Sequence, residues 1–453
     1  MNTSSDKIFF YSSADLIKIS EKMVDMAVSK GVTEASVDVN EHQGISVGVR
    51  MGSVETTESN REKVASITVF NRKRKGVAST SSFADEALLK TVTKAAEIAR
   101  FTAEDEYSGL PDKSDIEFEP RKIPLYFPWA LSNSEATDIA LEAENSAFQV
   151  DKHVKNSDGA AVNTSHNNFY SINTLGFRGG YAYSNHSLSV SPIASVKSEM
   201  ERDFWYSSDR DFRKLSSASE VGRYAAQRAL ARLGSRQIKT CKVPILFEAP
   251  LAAGLLGSFV QAISGSALYK KLTFLSESLH DEIFANHINL VEDPFIPGAM
   301  GSAPFDNEGV KVFKRNVVTN GCIEGYFLSS YTARKLGMRT TGNSGGSHNL
   351  RLYSNADKQQ KNLDEMLKNL DTGLFVTELM GQGVNSLTGD YSRGAAGFWV
   401  QNGTIQFPVY EVTIAGNLKE MFKRIVAIGA DEYTRGSKTV GSILIESMTV
   451  GGQ

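Results

Sequence analysis

The chain has 453 residues, 41% of them apolar and 22% charged, with a formal net charge of −3. At roughly 150 residues per domain that length predicts two or three domains, and the composition suits a globular protein with a large core. The balanced charge gives no global reason to expect nucleic acid or an anionic membrane as a partner. The two cysteines, Cys241 and Cys322, form neither a CxxC pair nor a disulfide framework, which fits a reducing cytoplasm.

In chain order, the N-terminus lacks a charged region followed by an apolar stretch, so no signal peptide is expected. Leu16, Ile19, Met23, Met26 and Ala27 recur at helical spacing, and Gly31 provides a stop. Residues 45–82 read as strands joined by glycine-containing turns, with the basic run Arg72 to Lys75 topping a hairpin. A second helix carries the stripe Leu88, Val92, Ala95, Ala96 and Ala99, with Ser82 as its expected cap and Asp85 three residues on. The pattern recurs: a helix near Ser134 to Val150, strand-like sequence to about residue 196, then a helix with Ser217 and Glu220 in capping-box spacing.

The polar stretch GSRQIKTCK, residues 234–242, marks the main boundary. Beyond it come a strand, VPILFE, and an uncharged segment from Ala249 to Leu268. Three glycines, three serines and a glutamine in that segment favour a buried glycine-rich helix over a membrane span. Asn320-Gly321 and Asn402-Gly403 are hairpin signals, and short helices are expected around Leu363 to Leu370 and Leu418 to Ile425. The predicted fold class is α+β. Two N-terminal helix and antiparallel-sheet modules, 1–120 and 121–235, precede a mostly antiparallel, β-rich domain, 242–453.

Several motifs raise chemical questions. GNSGG, residues 342–346, is one letter from the GDSGG loop of chymotrypsin-like proteases, and His348 follows. Adjacency in sequence does not make a triad, position 343 carries no carboxylate, and the many helices exclude that all-β fold. The reading is a glycine-rich loop where backbone passes close to a neighbour. No histidine pair has HExxH spacing; His280 and His287, seven apart, would lie roughly 10 Å apart along a helix. The glycine-dense run 377–403, with Glu378, Asp390 and Arg393, suits either a set of turns or a groove holding an extended peptide.

The stretches LGMRTTGNSGGSHNLR, VTELMGQGVNSLTGDYSRGAAGFWVQNG and SMTVGGQ resemble the TldE/PmbA family, as do ISVGVRMGSVETTES and MERDFWYSSDRDF nearer the N-terminus. The resemblance implies a cytoplasmic subunit that pairs with a TldD-type protein to form a zinc metallopeptidase acting on unfolded peptides. It also brings the older label of DNA gyrase modulator. In that family the TldD-type partner carries the HExxxH helix, and zinc is expected there rather than in this chain. The matching positions here are Gly257, Ser258 and Ala262, with no histidine between His186 and His280. The expected degenerate site therefore has no catalytic residue. The resemblance also leads to Arg339, Asn343, His348, Glu378, Gly381, Gly383 and Arg393 as candidates for the peptide groove. The sequence leaves open whether the chain forms a homodimer when the partner is missing, and neither direct nucleic-acid binding nor membrane attachment is expected. Two alternatives stay open: an independent hydrolase using ligands such as His280, Glu282 and His348, or a non-enzymatic regulatory protein acting on gyrase.

Overall fold

The computed structural model describes residues 8–356 and 361–452. Helix α1 (Ser13–Ser29) starts from Ser12, whose hydroxyl and Asp15 form a reciprocal cap. Strands β1 (Glu34–Arg50), β2 (Ser53–Asn71) and β3 (Arg74–Thr80) follow as antiparallel neighbours, then α2 (Asp85–Phe101). The sequence placed the cap of α2 at Ser82. The structure begins the helix after Ala84, which makes no side-chain cap, while Ser82 closes the turn before it. Helix α3 (Asn133–Phe148), strands β4 (Val154–Asn173), β5 (Arg178–Val196), β6 (Glu199–Arg202) and β7 (Trp205–Asp209), and helix α4 (Ala218–Ala231) complete the N-terminal half. The predicted capping box of α4, Ser217 with Glu220, is present.

The two expected modules share one sheet. β1 pairs with β4 from Ser36 opposite Asn173 to Val49 opposite Ala160, which gives the order β3-β2-β1-β4-β5-β6 with β7 also on β5. The strand period of two sorts the faces. Val37 and Val39 lie in a core with Leu16, Met23, Leu88 and Val92 under α1 and α2. Val47, Val162, Leu188 and Val190 lie with Ala140 and Val221 under α3 and α4. Each fully buried large side chain contributes about 1.5–3 kcal/mol. The opposite face is polar, with Asn163, Ser165 and Asn167 on β4 and Asn185, Ser187 and Ser189 on β5, all half-buried.

The C-terminal half begins with β8 (Cys241–Phe247), α5 (Ala249–Ala262) and α6 (Gly265–Tyr269). β9 (Ile288–Asp293), β10 (Arg315–Thr319), β11 (Cys322–Ile323), α7 (Ser330–Lys335), β12 (Asn349–Ser354) and α8 (Leu363–Leu370) follow. The last elements are β13 (Gly373–Met380), β14 (Asp390–Gln401), β15 (Thr404–Asn417), α9 (Leu418–Lys423), β16 (Ile425–Ile428), β17 (Tyr433–Arg435), β18 (Lys438–Val440) and β19 (Ile443–Gly451). One sheet has the order β11-β10-β9-β12-β18-β17 and the other β15-β14-β13-β8-β19-β16. In the second, β15 also pairs with β19, so β15, β14, β13, β8 and β19 close into a barrel-like ring. Residues 280–287, read from sequence as helical, form no helix; His287 is instead held by Ser354 and the Ile425 carbonyl. Among the described residues no helix is long and apolar enough to cross a membrane.

Two polar ties fasten the halves together. Arg228 of α4 reaches both carboxylate oxygens of Glu248 at 2.6 and 3.1 Å and lies 3.3 Å from Asp203. Arg210, buried on the polar face of the N-terminal sheet, donates to the carbonyls of Ala299 and Met300 at 3.1 and 2.8 Å.

Candidate functional site

Helix α5 packs one side into the C-terminal core through Ala252, Leu255, Leu256, Phe259 and Ala262. Pro at the first turn suits a helix start, where the missing N–H costs nothing. The other side is open: Gly254 and Gln261 are exposed, and Gly257 and Ser258 half-buried. The expected buried glycine-rich helix is thus buried on one side only, and its glycines in α5 are not on that side. A Cβ on Gly254 would meet nothing within 4 Å, and one on Gly257 only the Lys438 side chain, at 3.8 Å. Gly265, at the start of α6, is the glycine that close packing requires, because its Cβ would fall 2.3 Å from Thr332 Oγ1.

The side chains at Gly257, Ser258 and Ala262 supply at most one hydroxyl. Zinc sites are built from imidazole, thiolate and carboxylate. Lys438 lies over the same face, and burial lowers the pKa of its amine. With no imidazole, thiolate or carboxylate among them, the residues here do not fit a zinc ion. Among the described residues no group of three or more His, Cys, Asp or Glu is placed to hold a metal. The alternative ligand set is not assembled either. His280 is exposed, 4.0 Å from Glu324, whereas His348 is buried among other partners.

The loop 340–348 forms a second locus. Glu292 of β9, 1% exposed, anchors it. Its Oε1 accepts from the His348 backbone N–H at 2.8 Å, His348 Nδ1 at 3.0 Å and Asn343 Nδ2 at 2.7 Å. Its Oε2 accepts from Arg315 Nε at 2.7 Å. These donors outweigh burial and hold the Glu292 carboxyl well down, to about 2. The ionised carboxylate holds His348 through Nδ1, so that Nε2 is the ring nitrogen left for other contacts. Nε2 makes no hydrogen bond to a described residue, and His348 lines a cavity of about 570 Å³ between the loop and the polar face of the N-terminal sheet.

Asp38, Ser171 and Tyr181 form the sheet side of this cavity, and Phe305, Asp306 and Ser344 to Gly346 the other. Asp306 accepts N–H groups from Glu308, Val310 and Ser344, yet burial and the Glu308 charge push its carboxyl up to about 7. Burial raises Asp38 too, against a hydrogen bond from Ser171. His348 is turned to Glu292 rather than to Ser344, and the Ser344 N–H is bound to Asp306 Oδ2 at 3.0 Å. Sequence reasoning missed Glu292 and Arg315, which lie far along the chain on neighbouring strands and match no motif.

The remaining candidates are scattered. Glu378 is ion-paired with Arg232 of α4, part of the tie between the halves. Arg339 is exposed and reaches Asp115 at 2.6 Å. Arg393 touches the Leu379 carbonyl at 3.4 Å across its own hairpin. A Cβ on Gly383 would fall 1.5 Å from the Ser392 carbonyl oxygen, so the close backbone approach here is within the protein. Gly381 is a positive-φ turn residue with open space around it. The structure thus brings together Asn343 and His348 and leaves the other five elsewhere.

An N-terminal sheet covered by helices on one face is tied to a barrel-like C-terminal domain, and the chain belongs to the PmbA/TldA metallopeptidase family. Residues 35–99 match domain 1 of that family, 126–233 its central domain and 240–452 its C-terminal domain. The chain is 41% identical over 444 residues to the metalloprotease PmbA of Escherichia coli O157:H7, covering 96% of this chain and 98% of that one. It is 38% identical to the PmbA homologue of Haemophilus influenzae, over 97% and 99% of the two chains. Its fold matches a Bacteroides thetaiotaomicron protein named as a proposed DNA gyrase modulator, with a TM-score of 0.91 at 25% identity over 98% of this chain and 100% of that one. It also matches TldE of Thermococcus kodakarensis, with a TM-score of 0.84 at 22% identity over 96% and 100%.

Proposed function

We propose that this chain is the zinc-free subunit of a cytoplasmic TldD/TldE-type metallopeptidase that acts on unfolded peptides. The observation that carries the reading is the open face of α5. By the resemblance, Gly257, Ser258 and Ala262 take the places of the family's two histidines and glutamate, and none of the three carries an imidazole, thiolate or carboxylate. Catalysis then belongs to a TldD-type partner, and this chain supplies structure and peptide contacts. The cavity beside His348 is the better of the two groove candidates. The His348 imidazole, Asp38 and the exposed loop backbone offer polar groups for a peptide main chain.

The test is reconstitution. Each purified protein alone should leave an unfolded peptide intact, and the mixture should cleave it. His348→Ala should raise KM of the mixture while leaving its zinc content unchanged. Cleavage by this chain alone would overturn the proposal. Equal KM with and without His348 would remove the cavity from it.

A further inference from the structure

The cavity beside His348 holds side chains that a main-chain groove alone does not require. On its sheet side Asp38 pairs with Ser171 and Asn40 with Phe169 across β1 and β4, and Phe169 pairs with Tyr181 of β5. With a strand period of two these residues share one face, so the Asp38 carboxyl stands one row from the Phe169–Tyr181 ring pair. The two rings meet edge to face at 4.6 Å, and Phe305 from the opposite wall packs against Tyr181 at 5.7 Å. Asp306 follows Phe305 in the chain, lines the same cavity and is 4% exposed. Each half of the chain thus contributes one carboxyl beside a shared aromatic wall.

Neither carboxyl has a counter-ion: among the described residues no Lys, Arg or His forms an ion pair with Asp38 or Asp306. Asp306 Oδ1 accepts the N–H groups of Glu308 and Val310 at 2.8 and 2.9 Å, and Oδ2 accepts that of Ser344 at 3.0 Å. A carboxylate offers about four lone-pair sites, so Oδ2 can take a further donor. Arg210 lines the cavity too, but its nitrogens donate to the Ser184, Ala299 and Met300 carbonyls and its plane lies 5.1 Å from the Tyr183 ring centre. Burial without a cation is what raises both carboxyls. His348 is 7% exposed and lines the same cavity; Glu292 holds its Nδ1, and Nε2 has no partner among the described residues. Buried polar groups are as a rule paired, so both walls present groups for a ligand to complete.

We propose that this cavity is a lysine subsite: it takes a basic side chain of an extended peptide, with the ammonium set against Asp38 and Asp306 and the methylene stem along Phe169, Tyr181 and Phe305. This rests on the reading of the cavity as a peptide groove and adds a side-chain preference to it. An ammonium carries three donors, enough for both carboxylates. Aromatic rings attract a cation over their faces and cover the apolar stem that carries it. The space of about 570 Å³ falls within the range of about 300–1,000 Å³ usual for ligand sites. An apolar side chain of the same length would fill the wall and leave the two carboxyls unpaired, and an acidic one would meet two like charges.

The test is binding of fluorescent peptides to the full chain, purified alone, by anisotropy at about pH 8, above the Asp306 value. The probes are acetylated, amidated peptides that differ at one central residue: lysine, norleucine or glutamate. The lysine peptide should bind at least about tenfold tighter than the norleucine peptide, and the glutamate peptide weakest. Asp306→Asn and Asp38→Asn should each cut the lysine-to-norleucine ratio to about threefold or less. Asp38 holds no backbone N–H, so Asp38→Asn keeps the test sound if Asp306→Asn loosens the loop. Equal Kd for lysine and norleucine, no binding of the lysine peptide up to about 1 mM, or an unchanged ratio in Asp38→Asn would overturn the proposal. Tight binding of the norleucine peptide only when its amino terminus is left free, with no gain from lysine, would assign the cavity to the peptide terminus and overturn the lysine subsite. Binding by the chain alone needs neither zinc nor a partner, so failure here leaves the reconstitution test untouched, and failure there leaves the lysine ratio standing.

Discussion

Replacing Glu292 by glutamine changes no volume and removes one charge. In the native chain that carboxylate is 1% exposed and is approached by four donors, one of them the Arg315 guanidinium at 2.7 Å. After substitution Arg315 keeps the Tyr326 carbonyl at 2.8 Å and Asn343 Oδ1 at 3.1 Å, but loses its counter-ion. The glutamine amide also places a donor against either the donors on Oε1 or Arg315. Breaking a buried ion pair by removing one partner costs about 3–5 kcal/mol. Arg315 is 11% exposed, which puts the expectation at the lower end, about 3 kcal/mol. For a unit the size of the C-terminal half this lowers Tm by roughly 6–12 °C. Differential scanning calorimetry of the full chain reads it directly. A second variant, Glu292→Gln with Arg315→Met, should recover part of the loss, since it removes the orphaned charge. A shift of Glu292→Gln below about 2 °C would refute the claim that this carboxylate anchors the 340–348 loop.

The glycines make a contrasting set. Gly257→Ala should be neutral or stabilising by up to about 1 kcal/mol, because the helix gains propensity and the Cβ has room. Gly265→Ala should cost about 1–3 kcal/mol against Thr332, and Gly383→Ala at least as much against the Ser392 carbonyl. Urea midpoints of the three variants check the order. The pH dependence follows from the buried pair His166 and His186, linked through Thr164 Oγ1 at 3.0 and 2.9 Å. Burial pushes His166 down to about 4 and lowers His186 as well. Between about pH 4 and the ordinary histidine value near 6.5 the unfolded chain binds the proton and the native chain does not. Stability is therefore full above about 6.5 and falls as pH drops toward 4, by on the order of 3 kcal/mol for His166. His166→Gln should flatten that part of the urea-midpoint profile relative to wild type.

Much of the local structure was legible because local rules carry it. Ser217 with Glu220, and the Asn320-Gly321 and Asn402-Gly403 turns with positive φ at both positions, are fixed by a few adjacent residues. The joining of the two N-terminal modules was not legible. It depends on β1 pairing with β4 across more than a hundred residues, and period-two patterning says which face is buried but not which strand lies alongside. The helix once expected at 280–287 failed for a related reason: its polar residues suit a turn as well as a helix, and His287 is settled by partners on β12 and at the start of β16. At the candidate site, the GNSGG loop and His348 announced themselves, while Glu292 did not. A lone carboxylate in a strand has no sequence signature until the fold surrounds it with donors. The glycines of 377–403 were visible, but at Gly383 and Gly397 their cause was internal, a close approach of β14 to its neighbouring backbone.

The most direct measurement is zinc per chain, by atomic spectroscopy, on protein purified alone at neutral pH without metal-affinity resin. The account predicts well under one zinc per chain, unchanged by Gly257→Ala, because the open face of α5 offers no donor set. One tightly held zinc per chain would contradict it and bring the independent hydrolase to the front.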